Sequence, residues 1–177
     1  NNRKDHLILS DPAGGAIVDF AYSDRGQWPL AADGTGHTLT KISPRLHPNR
    51  AENWRLSTNI GGTPGKVDKP PHLHQNKHNF ASVIINEIAI SPSHKRRRKS
   101  SPISVEIYNP TANTIDISGC WLSDNPTKLK RYQVPEGTQV AAGSHVVFNS
   151  DQLNFKLDLK NERLFFTNPS VSRVLDV

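Results

Sequence analysis

Four groups of residues carry side chains that could do chemistry. Glu87 and Glu106 lie with Asn86 and Asn109 inside otherwise apolar segments, Val83–Ile90 and Ile103–Asn109. Two carboxylates brought together could share acid–base work or hold a hard cation. His72, His74 and His78 form an H-x-H-x3-H pattern, a spacing that could ligate zinc or nickel. The H-E-x-x-H helix pattern is absent, and Pro70-Pro71 opposes a helix that would align the three imidazoles. The expectation is therefore a solvated linker with no metal, and no cofactor is expected anywhere in the chain. Cys120 is the single cysteine, so no internal disulfide or Cys-rich zinc site can form. No Cys/His signature surrounds it, which predicts a buried, inert thiol. Lys95, Arg96, Arg97, Arg98 and Lys99 form the one concentrated charge, supplying five of the six net positive charges. Such a run could neutralise phosphates or an anionic glycan. No aromatic residue is interleaved, so base stacking is not indicated.

Other chemistries fail at the level of motif. No G-x-S-x-G occurs, and Gly61-Gly62-Thr63-Pro64-Gly65 lacks the lysine and spacing of a phosphate loop. No catalytic role is assigned to any residue, and an enzyme is not expected.

The elements that position these groups read as strands. Apolar–polar alternation marks His6–Ser10, Ala16–Tyr22, His37–Ser43, Val83–Ile90, Ile103–Asn109, Thr114–Ser118, Arg131–Val134, His145–Asn149, Arg163–Thr167 and Ser172–Val177. The breaks between them hold turn residues such as Asp11-Pro12, Asn109-Pro110, Pro135-Glu136-Gly137 and Asn168-Pro169. No stretch of a dozen residues carries a capped helical stripe. Short strands at this spacing predict an all-β sandwich or barrel. Glu87 and Glu106 are expected to point to solvent or to bond loop backbone; parity with Ile85 would put Glu87 on the inward face, which places it at a strand end near the sandwich edge. Trp28, Trp54 and Trp121 are expected at the core or its rim, with indole N–H groups on backbone carbonyls.

Two patterns bear on organisation. Leu7–Phe20 (LILSDPAGGAIVDF) and Leu164–Val177 (LFFTNPSVSRVLDV) align without a gap over fourteen positions at an offset of 157. This echo predicts a tandem repeat. Between the halves, Lys66–Asn79 has almost no apolar residues and reads as a linker.

The ordered pieces INEI (Ile85–Ile88), EIYNP (Glu106–Pro110), DISG-x-WLSD (Asp116–Asp124), P-x-GT (Pro135–Thr138) and AAG (Ala141–Gly143) resemble the bacterial branch of the lamin-tail domain family. Residues 6–65 resemble the closing part of the same domain through Trp28-Pro29, Ala32–Gly36, Asn53-Trp54 and Gly61–Gly65. The basic run before Val105 departs from the family pattern, which carries an acidic-aromatic lead into that strand.

The resemblance implies an immunoglobulin-like β-sandwich. It divides the chain into residues 1–66, the end of one lamin-tail-like copy; 67–79, a linker; and 80–177, the first and central part of a second. One arrangement open to such a chain is a single sandwich closed in permuted order, residues 6–65 supplying strands to residues 83–177. The family implies a secreted or cell-surface bacterial setting and a non-catalytic module for adhesion, spacing or protein and glycan contact. Its partners are expected to be other domains of the same polypeptide and a surface glycan or protein. The alternative reading is a polyanion- or DNA-binding module acting through loop 94–100. A metal-dependent hydrolase part stands behind both. No segment here is expected to insert in a membrane.

Overall fold

Alternation is sharpest in Ile103–Tyr108, where Ile103, Val105 and Ile107 are buried and the residues between them only partly so. Period-two burial requires one face against a core and the other towards solvent. A computed structural model bears out the all-β reading. It describes residues 4–69, 80–90, 103–157 and 163–177. The chain divides into two compact units, Asn1–Pro70 and Pro71–Val177.

The first unit holds β1 (Lys4–Ser10) and β2 (Ala16–Ser23), paired as an antiparallel hairpin. It also holds β3 (Leu39–Lys41) and β4 (Trp54–Leu56), a second antiparallel pair. Its last residues fold back onto that pair. Asp68 is buried, and its carboxylate accepts the Thr58 backbone N–H at 2.9 Å and Arg55 Nη1 at 3.2 Å. The first part of the stretch that reads as linker is therefore packed structure. Composition hides this, because a buried ion pair uses the same polar residues as a solvated tether.

The second unit holds β5 (Ile84–Ile90), β6 (Ile103–Tyr108), β7 (Ile115–Asp116), β8 (Trp121–Ser123) and β9 (Tyr132–Gln133). It continues with β10 (Gln139–Val140), β11 (His145–Asn149), β12 (Phe165–Thr167) and β13 (Val174–Asp176). One sheet runs β11-β6-β5, a second β13-β12-β8-β9, and β10 pairs with β7. All these pairings are antiparallel. A single core joins the two larger sheets. Val105 and Ile107 from β6 and Phe148 from β11 meet Leu122 from β8 and Phe166 from β12, with Ile117, Val134 and Cys120 filling between them. The Ile85 N–H donates to Asp176 Oδ2 at 2.7 Å, tying β5 to β13. This is an immunoglobulin-like sandwich whose two larger sheets are built from the second unit's own strands. Permuted closure by residues 6–65 is not needed to build it.

Asn109 lies fully buried at the end of β6 and holds the loops around it. Its Nδ2 donates to the carbonyls of Asn113 (2.7 Å), Val140 (2.9 Å) and Ala141 (3.1 Å). Its Oδ1 accepts the Thr111 N–H at 3.0 Å and hydroxyl at 2.7 Å. A buried amide with this many partners fixes loop geometry, whereas an unpaired one would be costly.

Candidate functional site

The two glutamates come together on the outer face of the β11-β6-β5 sheet. Glu87 stands opposite Glu106 in the ladder, with the register slipping between Ile85 and Glu87. That slip is a β-bulge, and the extra residue reverses side-chain parity along β5. Ile85 still packs against the core, while Glu87 is exposed. Glu87 thus faces solvent as expected, and its parity with Ile85 fails because simple alternation assumes an unbroken ladder.

Glu106 is only partly exposed. Its Oε1 accepts Asn86 Nδ2 at 2.6 Å, and its Oε2 lies 3.7 Å from His145 Nε2. An amide, an imidazole and a second carboxylate on a flat outer face form a surface polar cluster. Like charges directly opposite one another weaken a sheet by a few tenths of a kcal/mol. Asn109 takes no part, since its polar atoms are spent on loop backbone. Among the described residues, no group of three or more His, Cys, Asp or Glu side chains is arranged to hold a metal ion.

A concave feature lies in the first unit. A cleft of about 390 Å³ is lined by Phe20, Tyr22 and Trp54 and by the carboxylates Asp5, Asp24 and Asp33. Phe20 stacks on Trp54 with ring centroids 5.1 Å apart, and the Trp28 ring is tilted against Trp54 with centroids 6.0 Å apart. The Trp54 indole N–H donates to the Pro48 carbonyl at 2.7 Å, which fixes the ring. Strand register explains the rest: Asp5 opposes Tyr22 and Leu7 opposes Phe20, so all four side chains share one face of the hairpin. Aromatic faces ringed by carboxylates suit an apolar group with polar, hydrogen-donating edges.

His37 forms part of the cleft wall and is buried. Its Nδ1 donates to the Ser57 carbonyl at 2.9 Å, with Ser57 Oγ at 3.2 Å. A nitrogen that donates to a carbonyl carries its proton and cannot draw one from the neighbouring hydroxyl. Ser57 is itself buried, and its hydroxyl donates to the Asn59 carbonyl at 2.7 Å. This His–Ser contact is structural. Sequence reasoning did not find the cleft, because its walls come from segments up to 49 positions apart, Asp5 and Trp54. The Trp-Pro and Asn-Trp pairs were its only visible signal.

The remaining assignments sort plainly. Cys120 is fully buried, and burial, with Asp116 nearby, pushes its thiol up to about 12. That is an unreactive thiol. Trp121 donates its indole N–H to the Pro169 carbonyl at 3.2 Å. Asp68 works against a burial penalty, yet hydrogen bonds from Thr58 and the charge of Arg55 hold its carboxyl below the usual range. His72, His74, His78 and the basic run Lys95–Lys99 lie outside the described residues. No helix among the described residues is long and apolar enough to cross a membrane.

The all-β sandwich agrees with a comparison to protein families. The family model described as Lamin Tail Domain matches residues 76–173, more than half of the chain. The chain belongs to the lamin tail domain family. That family is an immunoglobulin-like, non-catalytic one. Residues 6–65 lie outside the matched stretch of the lamin tail domain. No curated protein and no solved structure matches the chain.

Proposed function

We propose that this lamin tail chain is a non-catalytic interaction and spacing module of a secreted or cell-surface multidomain bacterial protein. The observation that carries the reading is how the second unit uses its buried polar groups. Asn109 binds three loop carbonyls, and the Ser123 hydroxyl donates to the Lys128 carbonyl at 2.8 Å. Polar side chains committed to the chain's own loops stiffen the body and leave its outer faces to make contacts. Such a body acts passively, holding neighbouring domains apart and presenting loops to a surface glycan or protein. Stretching the full chain between two handles tests this directly. A stiff spacer gives a discrete unfolding event that releases about 3.3–3.6 Å per residue of the second unit. Gradual extension without that event, or turnover of a hydrolase substrate by the purified chain, overturns it.

A second reading rests on the concentration of charge at Lys95–Lys99. It makes the chain a polyanion or DNA binder. Binding to heparin or duplex DNA would then fall steeply with salt, with a slope set by the number of phosphates or sulfates neutralised. Replacing all five residues by glutamine should flatten that slope. Salt-independent binding, or none, removes this reading.

A further inference from the structure

Two side-chain contacts show which main-chain groups of the β1–β2 hairpin point out of its ladder. His6 and Ala21 stand opposite each other. The His6 N–H donates to Asp5 Oδ1 at 2.8 Å, and the Ala21 N–H donates to Asn49 Oδ1, also at 2.8 Å. Both N–H groups therefore leave the ladder, which makes this a non-hydrogen-bonded pair. Alternation gives Lys4, Ile8 and Ser10 the same outward direction. The register slip between Leu9 and Ser10 does not disturb it, because the extra residue, Ile17, lies on β2. The turn that joins the strands is held by Asp11 Oδ1, which accepts the N–H groups of Ala13 and Gly15, both at 2.8 Å.

Among the described residues, no strand pairs with the edge that Lys4, His6, Ile8 and Ser10 line. Leu7, Ile8 and Leu9 are 47%, 55% and 54% exposed. Three consecutive apolar residues on an unpaired strand form a template for strand addition. The edge is also complementary to itself. In a two-fold antiparallel pairing centred on Leu7, Lys4 meets Ser10 and His6 meets Ile8, so every outward main-chain group finds a partner. Asp5 then meets Leu9, and Leu7 meets its own copy. The neighbouring registers are poorer. Centring on Ile8 sets Asp5 against Asp11, a like-charged pair, and Lys4 against Pro12, which has no N–H. Centring on His6 carries Ser10 past the end of the partner strand.

We propose that the open edge of β1 pairs with the same edge of a second copy of this chain, antiparallel and centred on Leu7. On docking, the His6 N–H passes from the Asp5 carboxylate to the Ile8 carbonyl of the second copy. Each copy uses its β1 edge in the contact, so assembly closes at two chains. The inference goes beyond the proposed spacing role and does not depend on it.

Sedimentation of the full chain from micromolar to millimolar concentration tests this, and the mass should double from 19.6 kDa. Leu7→Lys sets like charges opposite one another across the two-fold axis and should raise Kd by about tenfold. Leu7→Glu should do the same. An equimolar mixture of the two variants should regain the dimer, an outcome that loss of folding cannot give. With Leu7→Cys, oxidised glutathione should cross-link two copies, since Cα atoms at a non-hydrogen-bonded pair lie about 4.5 Å apart, within disulfide reach. Cys120 is fully buried and takes no part. A single-chain mass at every concentration overturns the proposal, as does an unchanged dimer in both charge variants. Cross-linking through Ile8→Cys but not Leu7→Cys, assembly beyond two chains, or a mixture no tighter than its components also overturns it.

Discussion

Two hairpins 157 residues apart share an Asx-anchored turn start, the place of a register slip and an apolar first strand, although the second closes one residue later; yet one is the most exposed element of its unit and the other lies in a core. The difference teaches that a strand's sequence specifies its conformation more firmly than its environment. Both stretches become hairpins because an Asx turn and alternating residues are local instructions. Burial needs a third strand, and only β12 has β8 beside it. A two-stranded ribbon is marginal alone.

The sharpest way to break the comparison is to truncate equivalent side chains. Phe166→Ala should destabilise the second unit by about 3–5 kcal/mol, since it empties a fully buried ring site. Leu9→Ala, at the equivalent position, should cost less than about 1 kcal/mol. Amide exchange in each unit measures both. Comparable losses would show that β1 is already packed and would remove the contrast.

Asn109→Ala comes next. It strands the carbonyls of Asn113, Val140 and Ala141, and about 2–3 kcal/mol should be lost from the second unit in urea unfolding. Cys120 offers a readout of the same event. With its thiol at about 12 and fully buried, it should resist maleimide at pH 7 in the native chain and react only on unfolding. Rapid native labelling would contradict the sealed core.

Acid should act on the first unit through Asp68. Its folded carboxyl titrates below its unfolded value, so its contribution is present above the ordinary carboxylate range and lost as pH falls through the folded pKa. Asp68→Asn should flatten that acid limb and cost about 1 kcal/mol at neutral pH. An unchanged acid limb would show that another group governs it. The smallest effect is expected on the outer face of the second unit. Glu106→Gln should change stability by only a few tenths of a kcal/mol, because it relieves the opposed Glu87 while weakening a surface contact to His145. A loss above about 1 kcal/mol would mean that this face is buried against something else.

Strands with several turns of alternation were legible in the sequence, and β6, β11 and the β1–β2 hairpin lie where the pattern puts them. Three short strands were not: β4, β8 and β10. Two or three residues are too few for alternation to show, and β8 follows directly on Gly119-Cys120. The bulge in β5 was equally hidden, because an extra residue alters pairing without altering composition. The conflict between the parity of Glu87 with Ile85 and its solvent-facing side chain is resolved only by that bulge. The buried role of Asp68 needed Arg55 and Thr58 in place. The cleft needed Phe20 laid on Trp54, a contact that spacing along the chain does not encode.

By itself, then, the amino-acid order determined the class of structure, the hairpins, the turns and the inert cysteine. Each depends on neighbours within a few residues or on apolar pattern. The tertiary structure alone decided which faces close, which carboxylates meet and which strand edge stays open. Those outcomes depend on pairing between distant segments, where one bulge or one missing strand reverses inside and outside.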